Sequence, residues 1–134
     1  MKLHRNTYKL LVVAGEGVIT DQIGMALRVQ PSAEDNTPDT DQSFGIHAVI
    51  TMVGDAKQNV RAKLQTSVDK VNWVDVLETP RVTSSTTEVF TKDSPLLTLL
   101  PWVRAVTVLG GQIKPAHKAT IWLTSDGPFR CRVE

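Results

Sequence analysis

The side chains of this 134-residue chain that could carry chemistry are three histidines (His4, His47 and His117), one cysteine (Cys131) and scattered carboxylates. Three imidazoles can hold a zinc ion, but these lie far apart along the chain and show none of the short spacings that mark a ligand set. A lone thiol excludes both an intrachain disulfide framework and a multi-cysteine zinc site; Cys131 is expected as a small, half-buried side chain in the last strand. Glu34, Asp35, Asp39 and Asp41 crowd one polar stretch and invite a calcium ion. That stretch lacks the glycine and the terminal glutamate of an EF-hand loop, so a solvated loop is expected instead. Asp69 and Asp75 form an acid pair of a kind any chain offers, and no histidine has a nucleophile in a recognisable context. The chain therefore reads as non-enzymatic, without cofactor or metal.

Ser67 is better explained as a turn residue, and the elements around it show why. Val60, Ala62, Leu64 and Thr66 alternate with Arg61, Lys63 and Gln65, the two-residue period of a strand with one face on a core and the other in water. The polar stretch from Ser67 to Asn72 turns the chain, and a second strand-like run from Trp73 to Leu77 completes a hairpin. Ser67 and Asp69 each present an acceptor able to bond nearby backbone N–H groups and close the loop. An indole at Trp73 would cover the open end of the turn and pack on Leu64 as a core plug.

The rest of the chain is organised the same way. Strands are expected over 7–14, 46–53, 86–91, 102–109, 116–124 and 129–133, with 18–20 and 81–83 as short additional pieces. Residues 23–29 fit a strand or one or two helical turns, and 96–100 fit a helical turn or a bridge over the end of a sandwich. Turns are expected at 54–57, 84–85, 92–95 and 125–128. His47 falls in a central strand, where burial with a hydrogen bond is expected. Residues 31–43 have no large apolar side chain and two prolines, which makes a long polar loop. Strands at roughly ten-residue spacing with glycine and proline punctuation indicate one all-β domain over 1–134, an antiparallel β-sandwich of jelly-roll or immunoglobulin-like order with little helix and an extended N-terminal arm over 1–8.

Apolar residues make up 41% and charged residues 22%, the balance of ordinary globular material. A formal net charge of +1 supplies no global field for nucleic acid or an anionic membrane, and no apolar run approaches the roughly 20 residues of a membrane span. The basic N-terminus meets an apolar run too short for a secretory signal, so a cytoplasmic site of synthesis and accumulation is expected. Trp102 shares a strand face with Arg104, and Trp122 shares one with Lys118 and Thr120. Aromatic and arginine side chains are enriched at interface cores, so Trp102, Arg104, Trp122 and Lys118 are candidate interface residues.

The segment from Leu64 to Val76 resembles the Ser-x-Asp-Gly-x-x-Trp hairpin of discoidin-like, galactose-binding-type β-sandwiches, with Ser67, Asp69 and Trp73 in register and Lys70 in place of the glycine. It is also similar to a hairpin of small β-sandwich proteins in tailed bacteriophage particles, where an aromatic-x-Arg-Ala strand followed by a Gly-Gly turn matches Trp102 to Ala105 with Gly110 and Gly111. The second resemblance implies a structural virion protein, a capsid-stabilising cement or decoration subunit assembled in the host cytoplasm. Its partners would be the major capsid protein or other virion subunits and further copies of itself, with no nucleic acid and no membrane. Residues 1–8 and 31–43 would order on those neighbours. The first resemblance implies a carbohydrate-binding module, with Trp122 and the turn from Ser67 to Asn72 as candidates.

Overall fold

The computed structural model describes residues 6–13, 18–30, 43–53, 58–83, 87–95, 100–111, 116–125 and 130–133. They form ten strands: β1 (Asn6–Val13), β2 (Gln22–Ile23), β3 (Leu27–Gln30), β4 (Ser43–Val53), β5 (Gln58–Ser67), β6 (Val74–Glu78), β7 (Thr87–Pro95), β8 (Trp102–Gly111), β9 (Ala116–Ser125) and β10 (Arg130–Val133). All pairings are antiparallel.

One sheet runs β1-β9-β4-β7; the other runs β10-β3-β8-β5-β6, with β2 also on β8. The pairs β1 with β9, β2 and β3 with β8, β4 with β7, and β5 with β6 are nested, as in one long hairpin folded over on itself so that successive pairs fall in alternate sheets. That is the jelly-roll arrangement of a double-sheet sandwich. The immunoglobulin-like order is thereby excluded: it does not nest its strands in this way.

Alternation decides what lies between the sheets. Phe44, Ile46, Ala48, Ile50 and Met52 of β4, with Ile121 and Leu123 of the neighbouring β9, face Val60, Ala62 and Leu64 of β5 and Val103 and Ala105 of β8 in one buried cluster. β4 lies between β7 and β9, the central position its two apolar faces imply. His117 is buried as well, its Nε2 3.0 Å from Thr107 Oγ1. His47 has the other parity: it points outward, half-buried, with Nδ1 2.8 Å from Thr91 Oγ1. The buried histidine expected at His47 is therefore at His117.

Several boundaries differ from expectation. Residues 23–29 are neither one strand nor a helical turn: β2 and β3 both pair with β8, and between them Gly24 N–H donates to the Ala105 carbonyl at 2.7 Å. A Cβ on Gly24 would sit 2.3 Å from the Leu10 carbonyl oxygen, so only glycine fits where β1 crosses this break. The turn expected at 92–95 is strand, because Pro95, Ser94, Asp93 and Lys92 continue β7 along residues 43–46 of β4. Proline is tolerated at the end of an edge strand such as β7. Residues 81–83 contribute a single bridge between Val82 and Val60, and 18–20 pair with nothing. Of the proposed arm, Asn6 to Tyr8 belong to β1, and Ser43 of the proposed loop opens β4. Residues 1–5, 31–42, 54–57, 84–86, 96–99 and 126–129 lie outside the described residues, and with them the remaining arm, loop and turn expectations. Cys131 is in β10 opposite Val29.

Candidate functional site

The turn between β5 and β6 is built from two acceptors. Ser67 is fully buried, and its hydroxyl accepts from the N–H groups of Asp69 (3.1 Å) and Lys70 (3.0 Å) while donating to Asp69 Oδ1 at 2.9 Å. Asp69 Oδ1 also accepts from the N–H groups of Val71 and Asn72, both at 2.8 Å, and Oδ2 accepts from Asn72 Nδ2 at 2.9 Å. The backbone N–H groups of Asn72 and Val71, then the side chains of Asn72 and Ser67, hold the Asp69 carboxyl well below the usual carboxylate range. Lys70 takes φ 65°, the left-handed conformation for which the resembling motif uses glycine. A lysine is kept there with its Nζ 4.1 Å from the Trp102 ring centroid.

Beside the turn, the outer face of the six-stranded sheet carries an aromatic and charged platform. Trp102 begins β8 opposite Ser67 and Arg28, and the Arg28 guanidinium lies 5.8 Å from its ring centroid. Two residues along the same face, the Arg104 guanidinium stacks 4.2 Å from the Trp73 ring centroid and its Nε donates to Gln65 Oε1 at 2.9 Å. Gln65 Nε2 in turn donates to Asp75 Oδ1, and Lys63 Nζ pairs with Asp75 Oδ2, each at 2.8 Å. These two bonds lower the Asp75 pKa, and partial burial lowers that of Arg104. Trp73 does cap the turn, donating Nε1–H to the Lys70 carbonyl at 3.1 Å. It caps from the outside: Leu64 points into the core, whereas Trp73 is half-buried and lies outside the buried cluster, so it is not a core plug.

The Ser67 hydroxyl and the Asp69 carboxylate are thus engaged within the turn, and beside the exposed Asp69, Lys70 and Asn72 the hairpin shows apolar groups to solvent. Val68, Val71 and Val74 are 63%, 76% and 59% exposed. Thr66 Oγ1 fastens the segment entering β8 to the base of the turn, accepting from Leu100 N–H and donating to the Trp102 carbonyl, both at 2.8 Å.

The predicted interface residues separate into two groups. Trp102 and Arg104 join Ser67, Asp69 and Trp73 in the site above. Trp122 and Lys118 lie on β9, on the outer face of the four-stranded sheet, where the Trp122 ring sits 5.3 Å from that of His47 at 53°. Trp122 and the Ser67 to Asn72 turn belong to different sheets and cannot line one pocket. Among the described residues, no group of three or more His, Cys, Asp or Glu could hold a metal ion, and no helix is long and apolar enough to cross a membrane.

No protein-family model, curated protein or solved structure matches this chain.

Sequence reasoning missed Arg28, Lys70 and the three exposed valines as parts of the site. Arg28 was unreadable because the 23–29 stretch has no clear period. For the valines a signal existed: Val68 and Val71 interrupt a polar turn where no strand phase would bury them.

Proposed function

We propose that the protein is a non-enzymatic structural subunit of a tailed-phage virion, a capsid-stabilising cement or decoration protein that acts through contacts with the major capsid protein or other virion subunits and with further copies of itself. The observation that carries this reading is the locked turn with Val68 and Val71 turned to water and Val74 exposed beside them at the start of β6. A turn held by Ser67 and Asp69 loses little conformational freedom when a partner covers it, so burial of the valines is not spent on ordering the loop. The phage-type resemblance of Trp102 to Ala105 adds to it, although Gly110 and Gly111 continue β8 opposite Asn59 and Gln58 instead of turning; the jelly roll serves both capsid and lectin domains and does not separate the two readings.

Burying the three valines in a partner would contribute about 1 kcal/mol each, roughly a hundredfold in affinity together. That is too little surface for a stable complex by itself, since specific interfaces bury about 1,200–2,000 Å² in total. A cement subunit meets this by repetition: many copies, each making modest contacts, hold the shell so that it opens only when several break together.

The carbohydrate-binding alternative needs an open aromatic face next to polar loop groups. Trp73 and Trp102 instead carry cations against their rings, and Trp122 has His47 against it. The assembly reading is tested by adding purified protein to particles made without it and measuring cosedimentation. Saturable binding at a fixed number of copies per shell is expected; a protein that remains wholly in the supernatant would refute the reading.

A further inference from the structure

The Arg104 guanidinium is held from two sides yet matched by no acid among the described residues. Its flat face lies on Trp73 and its Nε–H is taken by the neutral amide of Gln65, so the two terminal NH₂ groups form a fork of fixed direction. Among the described residues no carboxylate reaches that fork: Asp75 is engaged by Lys63 and Gln65, Glu78 pairs with Arg61 at 3.4 Å, and Asp69 is surrounded by its own turn. Two further cations, Lys70 and Arg28, lie over the neighbouring indole of Trp102, which is two residues from Arg104 on the same strand face.

Three cations thus surround a pair of indoles, and of the two arginines Arg104 is the one held on both sides, stacked on Trp73 at 4.2 Å and bonded through Nε to Gln65. We propose that this end of the six-stranded sheet is a receptor for an oxyanion, a carboxylate or a phosphate group taken bidentately by Arg104 with Lys70 and Arg28 supplying surrounding charge. The fork geometry matches both groups, and an arginine already immobilised gives up less freedom on binding than a free one. Partial burial of the guanidinium, which disfavours its charge, strengthens its pull on an anion that arrives. The site stands in the free subunit and does not depend on the assembly reading.

The test is a titration of the full chain at constant ionic strength, following the Arg104 Nε–H and Trp73 Nε1–H resonances by NMR. Sodium glutarate and sodium phosphate are the two probes, with sodium chloride as the screening control. Both resonances should move saturably with at least one probe and not with chloride; the tighter probe shows whether the natural carrier is an acidic side chain or a phosphoryl group. Arg104→Lys keeps the charge and loses the fork, so it should weaken binding about tenfold or more, whereas Lys70→Gln should weaken it only a few-fold. An unchanged far-UV spectrum and melting temperature confirm that each variant is folded. Linear shifts equal to those in chloride, or full affinity in Arg104→Lys, would overturn the proposal.

Discussion

Lys70 offers a test in which opposing effects can be weighed against each other. Its backbone is left-handed at φ 65°, a conformation that costs a residue with a Cβ about 1–2 kcal/mol. Its ammonium group over Trp102 returns about 0.5–1 kcal/mol, the usual size for an exposed cation–π contact. Lys70→Ala removes the contact and keeps the strain, so it should lose that about 0.5–1 kcal/mol in full. Lys70→Gly removes both, and also raises the freedom of the unfolded chain by about 0.5–1 kcal/mol. The terms for glycine nearly cancel against wild type, and the glycine variant should exceed the alanine variant by about 0.5–1 kcal/mol, or roughly 2–4 °C in melting temperature. Urea unfolding with linear extrapolation measures the three proteins directly. Trp73 Nε1–H bonds the residue 70 carbonyl in all of them, so the indole cap is constant across the series. An alanine variant as stable as wild type, or a glycine variant weaker than alanine, would show that this turn is not balanced as described.

Other perturbations address the frame and the charge network. Gly24→Ala forces a Cβ toward the Leu10 carbonyl and should cost at least about 1–3 kcal/mol, seen as a lower urea midpoint with an unchanged slope; a neutral result would mean that β1 does not cross the β2–β3 break so closely. The Asp69 and Asp75 carboxyls are both depressed below their ordinary value of 3.8, so the folded state favours the ionised forms. Their stabilisation is therefore complete above about pH 4 and is lost as pH falls through the lowered folded values. Urea midpoints from pH 7 to pH 3 should drop below pH 4, and Asp69→Asn should flatten that drop; an acid slope identical in the variant would contradict the turn network.

Much of the fold was legible because alternation is strict where it matters. Val60 to Thr66 shows which face is buried, and that strand lies where its pattern puts it. Sheet order was not legible: it depends on which strands meet across long loops, and spacing carries no record of that. The turn was readable from Ser67, Asp69 and Trp73, since each acts on backbone within a few residues. The partners of the tryptophans were not, because Arg28 and Lys70 reach Trp102 from sequence-distant segments. Parity misled at the histidines: β4 is apolar on both faces, so its pattern alone did not exclude an inward His47, whereas His117 is fixed inward by Ala119, Ile121 and Leu123 on the same face.

The central claim is that the valine-tipped turn meets a virion partner, and cryo-electron microscopy of purified particles tests it most directly. The account predicts jelly-roll density on the particle with residues 67–74 seated against a coat or neighbouring subunit, and about a hundredfold weaker affinity for the particle when Val68, Val71 and Val74 are all serine. Particles without the protein, or with it bound by another surface while this turn stands in solvent and the serine variant binds as well as wild type, would contradict it.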